Sequence, residues 1–142
     1  MKKLLCGICL ALAVAMMAGC SSVEEDYEYV FLYLNSEQGF NPFTFGDVNL
    51  VVNDDRQMYN SGSDIAELVF VKDLVYRIQM INKIPESGWS DTVDYALQYG
   101  FVGRLQKDDG SYEYCRFYVY TIDYDANADQ FALIKYQRQF KL

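Results

Sequence analysis

Residues 123–129 read Asp123-Tyr124-Asp125-Ala126-Asn127-Ala128-Asp129, which places oxygen-bearing side chains at alternate positions of one short segment. Calcium takes roughly six to eight oxygens at once, and a tightly curled loop can turn such positions toward one ion. Asp123, Asp125, Asn127 and Asp129 are therefore the candidate metal ligands, with calcium the only cofactor the sequence suggests. The D-x-D-x-N spacing matches the start of a calcium loop. Ala128, however, stands where such a loop turns on glycine, and Ile134 where a bidentate glutamate would close it. An acidic hairpin turn explains the same residues without an ion.

A second constellation is aromatic. From 111 to 124 the even positions include Tyr112, Tyr114, Arg116, Tyr118, Tyr120 and Tyr124, while the odd positions hold Cys115, Phe117 and Val119. With the odd side buried, Tyr112, Tyr114, Tyr118 and Tyr120 form a ladder of rings with hydroxyls. That chemistry suits a glycan or a protein surface. Tyr27, Tyr29, Phe31 and Tyr33 extend the ladder if their strand lies beside it, and Trp89, on a loop with Pro85 and Gly88, is a further ligand-binding candidate. Cross-strand pairing of the same rings would serve the sheet alone.

Other chemistry is poorly supplied. The chain has no histidine, which removes Ser-His and Cys-His catalytic pairs and imidazole metal ligands. Cys115 falls among core positions and reads as a small buried hydrophobe rather than a nucleophile. Carboxylate pairs such as Asp54 with Asp55, or Asp91 with Asp94, are expected by chance among 20 acidic residues. The expectation is a protein with no catalytic residues. Twelve basic residues against those 20 acidic ones also exclude a reader of nucleic-acid phosphates.

The elements that must position these residues have period two. Strands are predicted over 27–34, 43–53, 56–59, 65–71, 74–82, 93–105, 111–123 and 131–140, with a hairpin turn at Asp108-Asp109-Gly110. The strand over 93–105 is expected to put Val93, Tyr95, Leu97, Tyr99, Phe101 and Leu105 on its core face. Seven or so strands at this spacing predict a single all-β domain over 27–142. An antiparallel β-sandwich of immunoglobulin-like or transthyretin-like type is expected, with a small β-barrel as the alternative.

The first 26 residues carry an address. Lys2 and Lys3 precede an apolar run over 4–18, too short to span a membrane, and the run ends in Met17-Ala18-Gly19-Cys20-Ser21-Ser22. This segment resembles the signal peptide and lipobox of bacterial lipoproteins. The resemblance implies cleavage after residue 19, acylation of Cys20 and attachment to a membrane leaflet, with Met17 departing from the leucine usual at that position. Ser21 and Ser22 after the cysteine imply an outer-membrane destination. Glu24-Glu25-Asp26 resembles the acidic stretch some such lipoproteins use to reach the cell surface, and otherwise forms an acidic tether over 20–26. The remainder looks like small β-sandwich lipoproteins of gut-type Gram-negative bacteria. Processing would leave ten basic residues against 20 acidic ones and Cys115 as the one thiol not lost or acylated, so no internal disulfide is expected.

A membrane-anchored, non-catalytic binding module for a glycan or a protein is the function expected from these features. An accessory subunit of an envelope assembly, or an acidic inhibitor of a cationic lytic enzyme, is the alternative.

Overall fold

The computed structural model describes residues 27–142, so Cys20, the signal-like segment and the acidic tether lie outside the described residues. Eight strands form: β1 (Glu28–Tyr33), β2 (Leu50–Val52), β3 (Gln57–Asn60), β4 (Ala66–Lys72), β5 (Thr92–Asp94), β6 (Gly100–Gln106), β7 (Tyr112–Tyr124) and β8 (Gln130–Gln137). They build a five-stranded sheet in the order β1-β8-β7-β6-β4 and a three-stranded sheet in the order β2-β3-β5, with every pairing antiparallel. The predicted all-β sandwich is what forms, with eight strands among the described residues, and its sheets do not close into the alternative barrel.

Alternation along each strand supplies the core between the layers. Leu32, Leu50, Val52, Met58, Leu68, Phe101, Phe117, Val119 and Ile134 all face it and are fully or almost fully buried. Fully burying a side chain of this size stabilises the fold by about 1.5–3 kcal/mol relative to exposure. With Cys115 free, and no disulfide among the described residues, packing must hold the layers together.

Three predicted strands are corrected. The segment 43–53 is strand only at its end. Asn41 accepts a hydrogen bond from the Phe43 N–H (2.9 Å) and donates to the Gly46 carbonyl (3.0 Å), so its amide holds 41–46 in a turn that Gly46 completes at φ +82°. The segment 93–105 is two strands in different layers. Residues 95–99 carry the chain across, with Tyr95 buried, Gln98 at φ +64° and Leu97 turned to solvent. Period two persists on both sides of this crossing, and the alternation therefore reads as one strand.

The segment 74–82 is not a strand but a strap. Leu74 takes φ +52°, a 3₁₀ turn follows at Ile78–Met80, and Val75, Ile78 and Ile81 are completely buried. They pack on Val69, Val102 and Tyr118 from the outer face of the five-stranded sheet, with Phe140 of the C-terminal tail closing this second core. Gly100 makes the approach possible, since a Cβ there would come within 2.7 Å of the Val75 side chain. The strap covers β4, β6 and β7 and its 3₁₀ turn also meets β8, while the outward rings of β1 stay exposed.

Candidate binding face

On the open half of that face, the odd residues of β1 point outward. β1 pairs with β8 in the register Tyr29↔Lys135, Phe31↔Leu133 and Tyr33↔Phe131, so rings and aliphatic side chains of both strands share one surface. Phe31 meets Phe131 with ring centres 5.4 Å apart, Tyr29 meets Phe31 at 6.1 Å, and Tyr33 meets Phe131 at 6.0 Å. Tyr29 is 63 % exposed and Phe31 47 %, unusual for contiguous large rings on a strand of a folded domain. The mutual ring angles of 90°, 66° and 57° make this a corrugated strip rather than a flat platform.

The strip is chemically polarised. At its start the Lys135 ammonium lies 3.8 Å from the centre of the Tyr120 ring and 4.6 Å from that of Tyr27, a cation held between two π faces. At its other end the Tyr33 hydroxyl ionises above its ordinary range, because burial and then the nearby Asp125 and Asp129 carboxylates disfavour a phenolate. A depression of about 410 Å³ beside it is lined by Tyr33, Asn35, Tyr124, Asp129 and Gln130, among others.

The predicted tyrosine ladder on β7 is only partly realised. Tyr118 is completely buried beneath the strap, where its hydroxyl donates to the Tyr76 carbonyl (3.2 Å), so it is no ligand-binding residue of the free surface. Tyr112 and Tyr114 are half-buried and packed at 6.2 Å against each other. Trp89 is likewise half-buried. The Arg104 guanidinium lies between its ring (4.3 Å) and that of Tyr112 (4.6 Å), while Arg104 also pairs with Glu67 (2.6 Å). The Trp89 Nε1–H is buried and has no acceptor among the described residues.

Tyr120 alone of the five joins the open face. A bulge explains this: Val119 pairs with Ile134 and Thr121 with Leu133, leaving Tyr120 unopposed. Beyond the bulge the parity changes, and Ile122 turns into the core. β1 is also not beside β7, since β8 stands between them. Residues 131, 133 and 135 thus complete the face, and the sequence reading missed them. Their signal was present: both parities of 131–136 are largely apolar, as a strand covered on both faces requires.

The acidic segment is a hairpin turn. Asp125 Oδ1 accepts from the Asn127 N–H (2.9 Å) and the Asp129 N–H (3.0 Å), Ala128 takes φ +63°, and Asp123 accepts from the Tyr124 N–H (2.8 Å). The Asp123 and Asp125 carboxylates accept from the turn's own amides, and no group of three acidic or thiol side chains converges as a metal cage among the described residues. Asn127 and Asp129 enter the turn through their backbone N–H groups.

Catalytic features are equally sparse. Burial pushes the Cys115 thiol far up, away from the reactive thiolate. The buried carboxylate among the described residues is Glu113, and both its oxygens are engaged: one by the Thr44 N–H (3.0 Å), the other by the Thr44 hydroxyl (2.6 Å). A cleft of about 190 Å³ beside it is walled by Lys107, Tyr112, Gln139 and Lys141, among others.

No family model matches this chain, and comparison with curated proteins and with solved structures likewise finds no match.

Proposed function

We propose that the protein is a membrane-anchored envelope or cell-surface lipoprotein, tethered through an acylated Cys20, whose β-sandwich is a non-catalytic binding module. The observation that carries this reading is the open strip of Tyr29, Phe31, Tyr33, Phe131 and Tyr120 on the uncovered half of the five-stranded sheet. Tyr59, Phe70, Tyr76 and Tyr124 are exposed elsewhere, but on β1 successive exposed rings touch one another, and a strap covers β4, β6 and β7 on the same face. The absence of histidine and the complete engagement of Glu113 support a role in binding rather than in turnover.

Both a glycan and a protein are within the chemistry of tyrosine. The steep angles between neighbouring rings favour a protein surface, because extended polysaccharides stack best on coplanar rings, whereas protein side chains interdigitate with a corrugated surface.

The test compares the parent protein with a Leu133→Lys variant on a glycan array and against fractionated envelope proteins, with Tyr76→Ser on the strap as control. Binding that is lost with Leu133→Lys and kept with Tyr76→Ser is the expected result. Binding indifferent to Leu133→Lys overturns the assignment to this face. Anchoring has its own readout: labelled palmitate should enter the parent and not a Cys20→Ser variant.

A further inference from the structure

Strand edges carry unpaired N–H and C=O groups, and native proteins blunt them with short strands, bulges, lysine, proline or covering loops. Here three edges are treated in this way. β4 has a register shift between Phe70 and Lys72, carries Lys72 itself, and is bridged at Leu68 by Ser90. β2 is three residues long, bridged by Phe40 at Leu50, and its Val52 carbonyl accepts the Asn35 N–H (3.2 Å). β5 is also three residues long and ends in Asp94.

The fourth edge, β1, is blunted only at its last residue, where the Tyr33 carbonyl accepts the Ser36 N–H (3.3 Å). It runs for six residues, pairs with β8 residue for residue without a bulge, and contains no lysine, proline or glycine. Among the described residues no strand lies on its far side.

We propose that β1 is a self-association edge: it pairs antiparallel with β1 of a second copy, joining the two five-stranded sheets into one. This goes beyond the binding face, which the pairing widens rather than covers.

Register follows from geometry. Residues directly opposite in an antiparallel pair point to the same side, so the two-fold axis must pass through a residue and not between two. An axis at Phe31 sets Phe31 against its counterpart, Tyr29 against Tyr33 of the second copy, and Val30 against Leu32 of the second copy. Each outer rung is then aromatic and the inner rung aliphatic, the pairings that stabilise a sheet most. An axis at Val30 would set the Glu28 carboxylate against the fully buried Leu32 within the strand, whereas the axis at Phe31 moves it to the half-buried Leu34, beyond the end of β1. The axis at Phe31 is therefore preferred.

Charge agrees with this choice. Lys135 stands beside Tyr29, whereas Asp125 and Asp129 stand near the Tyr33 hydroxyl. Placing Tyr29 beside Tyr33 of the second copy turns the Lys135 end of each strip toward the Asp125 and Asp129 end of the other, twice over. This long-range attraction, screened by salt, favours the antiparallel orientation.

The test is the mass of the protein part of the purified chain, by light scattering corrected for bound detergent. Twice the mass of one chain is expected at about 100 µM, a concentration that detects even modest affinity. Phe31→Lys places two ammonium groups on the axis and should weaken association at least about tenfold, while Tyr76→Lys should not. Phe31→Cys should cross-link to itself on mild oxidation, since the native thiol at Cys115 is buried, and this readout holds if Phe31→Lys folds poorly. A single-chain mass at that concentration, or absence of the Phe31→Cys cross-link, overturns the proposal. Leu133→Lys separates the two readings: it should abolish ligand binding at the face and leave the doubled mass intact.

Discussion

Gly103 of β6 lies directly opposite Cys115 of β7, and a Cβ on Gly103 would come within 2.7 Å of the Cys115 Sγ, with Leu68 and Phe43 atoms at 3.3 Å. The thiol occupies the space that a side chain at 103 would need. Gly103→Ala should therefore destabilise the fold by about 1–3 kcal/mol, the usual range for overpacking a core. Cys115→Ala removes the obstructing sulfur, so the double variant should be more stable than the sum of the single effects by at least about 0.5 kcal/mol. Urea unfolding of the four proteins checks this, and strict additivity would refute the steric coupling.

The same thiol predicts a pH dependence. Burial raises its ionisation well above the ordinary value, with a backbone hydrogen bond to Gly103 opposing only weakly. In the unfolded chain a thiol ionises near about pH 8.5. Above that pH the unfolded chain releases a proton that the folded chain keeps, so stability falls as pH rises, by at most about 1.4 kcal/mol per pH unit. Tyr95 and Tyr136, both raised by burial, add to the loss only above about pH 10. Unfolding free energy of the parent should thus decline between about pH 8.5 and 10, while Cys115→Ala stays level. Equal slopes in both proteins would remove the thiol from the account.

What the sequence made legible was whatever a single strand's alternation can express. The strands at 28–33, 66–72, 112–124 and 130–137 lie within two or three residues of their expected limits, and the hairpin at Asp108-Asp109-Gly110 turns with Gly110 at φ +85°. The strap was not legible, because Leu74, Tyr76, Ile78 and Met80 alternate like a strand while their burial is decided by a sheet distant in sequence. The Tyr120 bulge was not legible either, since it depends on how β7 registers with β8. The binding face suffered accordingly. Parity alone puts Tyr118 on the surface, and nothing in the alternation of 131–136 marks Phe131 and Leu133 as part of a face, because strand order is not written in it.

Glu113 ties the turn at 41–46 to β7 through two hydrogen bonds to one residue, Thr44. Removing a buried acceptor while its donors remain costs about 1–3 kcal/mol, reduced where water can reach the donors. Thr44 is exposed at its outer side, so Glu113→Ala should fall in the lower half of that range. Glu113→Gln should cost less still, since its carbonyl can accept from the Thr44 N–H while its amide donates to the hydroxyl oxygen, which then turns its own proton outward. A glutamine variant as damaged as the alanine one would show that the charge, and not the pair of hydrogen bonds, holds this turn.

The strap makes a final prediction, about where the molecule opens. Ile78 is completely buried on the outer face against Val102 and Tyr118, yet it lies in a single 3₁₀ turn with no side-chain cap. Replacing a buried isoleucine by alanine costs about 2–5 kcal/mol, but the loss need not be shared evenly. The five-stranded sheet keeps its own inner core and its ladder, so the strap can lift while the sandwich persists. In Ile78→Ala, amide exchange should accelerate at Val75 and Ile81, whose N–H groups bond to the Gln98 and Ile78 carbonyls. Protection along β6 and β7 should stay near the parent's. Lifting would also uncover Tyr118 and extend the aromatic strip across β7. Uniform acceleration across β6, β7 and the strap would show instead that the strap and the sandwich unfold as one unit.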